Sequence, residues 1–391
     1  MAIDIYREPS ETSTPYSPIY FDVSSDLGTI TSMIADVYVN SSLVGTFNKE
    51  PLLGTTDSFR FEVGDVLKKH FTNDLTVTGI GSKALRNSNG SALNYHIRAF
   101  EVEDNGTTFD TSWSEDGLGT NYVQSTILKS FDGVIHYDQD IDDYICSTII
   151  DRLLTNRPFI EVANNLYKTS KLFRGQEFEI GFLSEQTTQF RYQEYDASFG
   201  LLVDTSFTGI SPNNNKAFFQ HDGSYNSSAK YVRYIVWDNS SVPISKAYIH
   251  ELVNKCVDSK TIFWKNQYGC YDYYVFEGNY KKSATSRQKT FDKRLNYDAN
   301  NNERGETVRL SENKESFTVY TKTENYRVID WLHEILQSTD VYLYDDTNAK
   351  LGYFFPIIVN GGSSQSLNDD DVITQFSIKY ELANKKQSQL G

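Results

Sequence analysis

The 391-residue chain is short of cysteine, methionine, paired histidines, long apolar runs and basic clusters, and each shortage excludes something. Its three cysteines (Cys146, Cys256, Cys270) are odd in number and lack CxxC spacing. No disulfide framework is encoded, and folding in a reducing cytoplasm is the simplest expectation. No run approaches the roughly 20 apolar residues of a membrane-spanning helix, so no membrane span is expected. The opening "MAIDIYREPSETSTPYSP" lacks the basic start and apolar core of a signal peptide. No basic cluster exceeds a Lys-Lys pair, and 37 Lys+Arg against 52 Asp+Glu leave a formal charge of −15. Specific nucleic-acid binding needs positive stripes and is not expected. The acidity serves solubility, or else presents a surface to which nucleic acid passing close by does not stick.

Catalytic and metal motifs are missing as well. Six histidines (His70, His96, His136, His221, His250, His333) form no HxH or HxxxH pair. "HEILQ" at 333–337 puts Gln337 where a zinc-binding HExxH helix needs its second histidine. "DQDIDD" at 138–143 begins like a calcium loop with Asp138, Asp140 and Asp142. However, Asp143 replaces the sharp-turn glycine and Ile149 the bidentate acid. It reads as a solvated acidic loop, with weakly held Ca²⁺ as the alternative, and "DANNNERG" at 298–305 reads the same way. "GIGSK" at 79–83 lacks the span of a phosphate loop, and no G-x-S-x-G elbow occurs. Cys270 reads as a small buried hydrophobe, although spacing alone leaves a Cys/His pair open. The 52 acids permit many glycosidase-like pairs and single none out. The expectation is therefore a protein that is not an enzyme, with no catalytic residue, metal or cofactor. A cell-envelope hydrolase is the weakest of the readings considered.

Aromatics are plentiful: 27 Tyr and 24 Phe stand against only 2 Met. Tyr and Phe favour pleated, half-buried surfaces, so the fold class expected is mainly β. The length suits two or three domains, read as several β-sandwich-like units with few short helices. Residues 1–17, rich in Pro, Ser and Thr, read as an extended N-terminal arm. Residues 18–155 read as an immunoglobulin-like sandwich with a loop extension at 104–122. Its strand "SMIADVYVN" places Met33, Ala35, Val37 and Val39 on one face and Asp36 and Tyr38 on the other. "GDVLKKHF" suggests a helical turn capped by Asp65, with Val66, Leu67 and Phe71 inward. "IDDYICSTIIDRLL" at 141–154 fits a short helix or a buried strand equally.

Residues 156–285 read as a second β domain, in which "SPNNNKAFFQHDGSYNSSA" is expected to be a polar loop. Residues 286–391 read as a C-terminal α+β domain with a long hairpin around "ANNNERG". Its one clear amphipathic helix lies at about 324–338, with Val328, Leu332, Ile335 and Leu336 on one stripe and Thr323 as N-cap. "NGGSSQSLNDDD" at 360–371 is expected to be a loop.

The densest aromatic stretch is "IFWKNQYGCYDYYVFEG", residues 262–278. Two strand-like runs flank "NQYG", with Gly269 suited to a turn position at positive φ. Alternation puts Cys270, Asp272, Tyr274 and Phe276 on one face, and Tyr271, Tyr273, Val275 and Glu277 on the other. Exposed rings here could stack on sugars, with Trp264, Tyr271 and Tyr273 as candidates; core packing is the simpler account.

This stretch, within "CVDSKTIFWKNQYGCYDYYVFEGNYKK", resembles structural tail proteins of tailed bacteriophages and prophages of Bacteroidota. The pattern is a cysteine, an aromatic strand, a Trp-x-Asn-x-x-Gly turn and an Asp-aromatic strand ending in Phe. Here these are Cys256, Trp264, Asn266, Gly269, Asp272 and Phe276, with Cys270 replacing the second glycine of the turn. "YRVIDWLHEILQSTDVYLYDD" and "YFFPIIV" resemble the same group downstream, and the likeness covers roughly residues 155–385. The resemblance implies a virion component of the tail hub, distal-tail or baseplate-ring kind, assembled in the host bacterial cytoplasm. It implies partners in neighbouring tail proteins and in further copies of the chain, forming a closed ring around the DNA passage. It carries no catalytic residues. The N-terminal arm could reach onto a neighbour. A host-surface adhesin or carbohydrate-binding tail protein is the alternative.

Overall fold

The structure, a computed structural model, describes residues 3–9, 12–26, 30–72, 80–88, 90–103, 122–133, 153–155, 157, 168–183, 189–208, 216–238, 242–254, 259–277, 280–292, 306–323, 326–344, 354–368 and 371–383. The segments 104–121, 138–143, 141–152 and 298–305, together with Cys146 and Cys256, lie outside the described residues.

The chain is mainly β, as its composition implies, with two helices among the described residues. The first unit is built from β1 (Ile3–Arg7), β2 (Thr12–Ser13), β3 (Tyr20–Ser25), β4 (Ile30–Val39), β5 (Ser42–Lys49) and β6 (Ser58–Glu62), followed by α1 (Gly64–Lys68). β7 (Ala84–Asn87), β8 (Ala92–Glu103), β9 (Val123–Gln124) and β10 (Leu128–Phe131) follow. A β1-β3-β6 sheet faces a β2-β10-β8-β4-β5 sheet, to which β9 adds on β8. Between them Phe21, Val23, Phe59 and Phe61 meet Met33, Ala35, Val37, Val39, Tyr95 and Ile97. The inward face expected of β4 is therefore the core face. Its other face is covered too, since Asp36 and Tyr38 are buried, and Asp36 accepts a hydrogen bond from Thr46 at 2.6 Å.

Three expectations change in this unit. The N-terminal segment is not a free arm: β1 pairs antiparallel with β3, and Thr12–Ser13 runs parallel with β10. Asp65 does not cap α1. It sits in the first turn and pairs with Lys68 one turn on, while Val63 holds the cap position without a side-chain bond. Finally, β7 leaves the first sandwich and pairs with a strand of the second unit.

That second unit contains β11 (Lys168–Phe173), β12 (Phe178–Leu183), β13 (Gln189–Tyr195), β14 (Leu201–Phe207), β15 (Lys216–His221), β16 (Tyr231–Trp237) and β17 (Tyr248–Val253). Sheets β11-β17-β16-β13-β14 and β12-β15-β7 enclose a core of Phe182, Phe190, Tyr192, Phe219, Val232 and Tyr234. β15 falls inside the segment expected to be a polar loop. "KAFFQH" is too short to stand out between its polar flanks, yet it pairs on both sides, with β12 and β7.

The rest forms one seven-stranded sheet of β18 (Lys260–Lys265), β19 (Tyr271–Phe276), β20 (Lys281–Asp292), β21 (Glu306–Thr323), β22 (Val341–Tyr344), β23 (Phe354–Asn368) and β24 (Asp371–Leu382). Its order is β19-β18-β22-β23-β24-β21-β20, so the 262–278 hairpin joins the C-terminal sheet by hydrogen bonding. α2 (Tyr326–Gln337) packs on it through Val328, Leu332 and Ile335, joined by Ile329 and Trp331, which widen the expected stripe. Thr323 is the last residue of β21, in register with Thr374, rather than the helix cap. Residues 360–368 continue β23 instead of looping, because the ladder to β24 overrides their Gly/Ser composition; bulges fall at Val359/Gly361 and Ser366/Asn368. No helix among the described residues is long and apolar enough to cross a membrane.

Candidate functional site

The 262–278 hairpin is a partition between two cores. On one side Ile262, Trp264 and Phe276 pack with α2. On the other, Phe263 and Tyr273 join the second unit's core. Cross-strand pairs Ile262↔Tyr274, Phe263↔Tyr273 and Trp264↔Asp272 set this register. Both faces of β19 are consequently covered, which alternation alone does not reveal.

The turn is built by Asn266. Its Oδ1 accepts from the backbone N–H of Tyr268 and of Cys270, each at 3.0 Å, so the side chain replaces backbone partners in the turn. Gly269 adopts φ +69°, the left-handed conformation its position requires. The turn lies directly on the backbone of Asp132 and Gly133: a Cβ on Gly269 would run into the Asp132 carbonyl, and one on Gly133 into the Gln267 carbonyl. Lys265 reinforces the contact through Asp132 at 2.5 Å. Cys270 is buried with Phe131, Leu154, Leu183, Phe218 and Tyr268, in space left by Gly181, where a Cβ would meet its sulfur.

Asp272 anchors the polar centre. It accepts from Thr155 Oγ1 (2.7 Å), Asn266 Nδ2 (3.2 Å) and Trp331 Nε1 (3.0 Å), drawing the second unit, the turn and α2 together. Beside it lies Arg157, buried and without a directly bonded carboxylate among its described partners. Its Nη1 donates to Tyr234 Oη (2.9 Å) and to His250 Nε2 (2.7 Å), and its Nη2 to the Tyr273 carbonyl (3.3 Å). The guanidinium also faces the rings of Tyr273, at 4.5 Å, and Trp331, at 5.0 Å. Because arginine only donates, His250 Nε2 is the acceptor and its proton resides on Nδ1. Burial alone would lower the Arg157 pKa, but Tyr234, Tyr273 and Asp272 outweigh it and the group is held more firmly protonated. Burial pushes the Tyr273 and Tyr234 hydroxyls upward against the opposing pull of Arg157.

A second buried chain crosses the same unit. Gly223 N–H donates to His221 Nδ1 (2.9 Å), so Nε2–H donates to Tyr192 Oη (2.9 Å), whose hydroxyl donates to Glu194 Oε1 (2.7 Å). Lys83 closes the chain on Glu194 at 3.1 Å. Burial, followed by the charge of Lys83, lowers the His221 pKa to about 3. This folded-state value lies below the ordinary one, so the stability that neutral His221 contributes is present above about pH 6.5 and lost as pH falls from there towards 3. Unfolding midpoints between pH 4.5 and 6.5 are expected to fall with acidification, and His221→Gln to flatten that slope by about 1.4 kcal/mol per pH unit. Equal slopes in both proteins would remove His221 from the account.

The Asp272–Arg157 cluster is buried, and of the residues in the second chain only Lys83 reaches solvent; both clusters fasten separate elements to one another. The three candidate sugar-stacking residues lie in the same packing: Trp264, Tyr271 and Tyr273 are 0, 7 and 1% exposed. The stacking reading is corrected accordingly, since a sugar needs an open ring face. Trp264→Ala is expected to destabilise the protein by about 3 kcal/mol, with no glycan binding to lose. A normally stable variant that lost retention on a glycan array would reinstate stacking.

Among the described residues no group of three or more His, Cys, Asp and Glu could hold a metal. His333 lies half-buried, edge-on to Phe376 at 5.3 Å. Sequence reasoning missed Thr155, Arg157, Tyr234 and His250, which carry no local motif and meet only through strand pairing. No known family model matches the chain, and no curated protein is similar to it in sequence.

Proposed function

We propose that this chain is a non-enzymatic structural protein of a bacteriophage tail, contributing to a ring, hub or baseplate and assembling as a homo-oligomer around the DNA passage. It is assembled in the host bacterial cytoplasm, contacts neighbouring tail proteins, and ends in the virion. The resemblance rests on Trp264, Asn266, Gly269, Asp272 and Phe276, and each of these is a turn, packing or buried anchoring residue, as a family scaffold motif should be.

The observation that carries the reading is an unprotected sheet edge. β14 ends its sheet, and among the described residues no strand pairs with its outer side. Leu201 and Leu202 are exposed there, and "LLVDTSF" has neither Lys nor Pro, the usual guards of an edge strand. Its one charge, Asp204, is engaged by Arg191. A ring covers such edges with neighbouring subunits, whereas a free monomer leaves them open to aggregation. A net charge of −15 on the chain suits a passage through which DNA slides without sticking.

The test pairs native mass measurement of the purified chain with protein identification in purified tailed particles from cells that carry the gene. The expected result is a closed oligomer and a fixed copy number per particle. A chain that stays monomeric and is absent from particles would overturn the proposal.

A further inference from the structure

An asparagine side chain can be attacked by the main-chain nitrogen of the residue after it. Glycine in that place offers no Cβ to obstruct the approach. Among the described residues Asn360 is the one asparagine followed by glycine. Asn360 and Gly361 are both exposed, so water reaches them.

The fold removes the restraint that a regular strand would impose here. Val359 pairs with Tyr380, and Gly361 with the next residue of β24, Lys379, which leaves Asn360 as the extra residue of a bulge. Gly361 holds φ +148°, outside the range of an ordinary strand, and nothing lies within 4 Å of the place its Cβ would take. Asn360 Nδ2 donates to Glu381 Oε1 at 2.5 Å, so a carboxylate in its place would face a second carboxylate. Lys379 shares a strand face with Glu381 and offsets part of that repulsion. One residue further on, the chain passes beneath α2: a Cβ on Gly362 would meet Leu336 and the Ser377 carbonyl. The placing of Gly362 therefore governs how closely α2 sits on the sheet. Trp331 of α2 lies buried against Trp264, with ring centroids 4.9 Å apart, and reports on that seating.

We propose that Asn360 is a self-modifying site, converted through the Gly361 nitrogen into isoaspartate and aspartate, and that the isoaspartate form loosens α2 on the C-terminal sheet. In the first step the Gly361 nitrogen bonds to Asn360 Cγ. The Cγ–Nδ2 bond breaks, and the amide takes the proton from the glycine nitrogen and leaves as ammonia. Water then opens the resulting succinimide. Attack at Cγ gives aspartate, and attack at the Asn360 main-chain carbonyl carbon gives isoaspartate, whose main chain runs through the former side chain and is one carbon longer. Nothing is oxidised or reduced, and water is the one co-reactant. Aspartate adds a charge and leaves the chain path alone, whereas isoaspartate displaces Gly362 from beneath Leu336. The site is independent of the tail reading above.

The experiment incubates the folded full-length protein in ¹⁸O-labelled water at mildly alkaline pH, beside a synthetic peptide of residues 355–366. Both are then mapped by fragmentation mass spectrometry, and the label separates conversion during incubation from conversion during digestion. Label at residue 360 of the folded protein is expected within the time the peptide reacts, with isoaspartate the larger product. A lowered thermal midpoint and altered tryptophan emission should accompany it. Asn360→Gln, whose ring closure is far slower, should take up no label there and keep its midpoint through the same incubation. Asn360→Asp, which adds the charge alone, should keep its tryptophan emission. An Asn360 amide that stays intact in the folded protein while the peptide reacts would overturn the proposal, because the bulge would then protect the site. Aspartate as the sole product, or labelled protein with the midpoint and emission of incubated Asn360→Gln, would overturn the link to α2.

Discussion

Asp272→Ala is expected to destabilise the protein by about 4–5 kcal/mol, read as a lower denaturant midpoint with tryptophan fluorescence as the probe. The carboxylate is the shared acceptor for Thr155, Asn266 and Trp331, three donors from three separate elements. Removing it leaves Thr155 and Trp331 buried without this acceptor, while Asn266 Nδ2 keeps only the Leu154 carbonyl, and a buried unmade hydrogen bond costs about 1–3 kcal/mol. It also leaves the Arg157 guanidinium without its nearest compensating charge. Asp272→Asn keeps one acceptor oxygen and should cost about half as much. Because Arg157 and Asp272 belong to one cluster, the pair Asp272→Ala/Arg157→Met should cost less than the sum of the single variants, with a coupling above about 1 kcal/mol. Strict additivity would show that the two residues act separately.

Gly269→Ala is expected to cost about 4 kcal/mol, far more than one methyl group suggests. Part is conformational, since φ +69° is strained for any residue with a Cβ, at about 1 kcal/mol. The larger part is steric. The new methyl would enter the Asp132 carbonyl, which is backbone and is held from the other side by the Lys265–Asp132 pair and the Gly133 approach. Gly54 provides the control: it also has positive φ, at +87°, but nothing lies within 4 Å of its missing Cβ. Gly54→Ala should therefore cost only the conformational part, and the difference between the two variants isolates the close approach of turn and sandwich. Equal effects would contradict that contact.

The hairpin around Gly269 was legible because alternation and a turn signal reinforce each other over a short span. β4 and the α2 stripe were legible for the same reason, each having a clear period of its own. What alternation leaves open is whether a face is covered. Tyr273 and Trp264 look equally available for packing or for sugars until two cores are seen to close on either side of them. β15 was hidden because it is short and lies between polar flanks, and the second half of β23 because its composition is that of a loop; the ladders to β12, β7 and β24 make them strands. The Arg157 cluster is illegible for a deeper reason. Residues 155, 157, 234, 250, 272 and 331 are far apart in sequence, and no spacing rule connects them before the topology does.

The role proposed for this chain is that of a ring-forming part of a tail. The most direct measurement is electron microscopy of purified tailed particles in which the chain carries an affinity label. Label arranged in a ring about the tail axis, with an open passage through its centre, is the expected result. Label confined to the host-cell surface, or particles that assemble and remain complete without the chain, would contradict it.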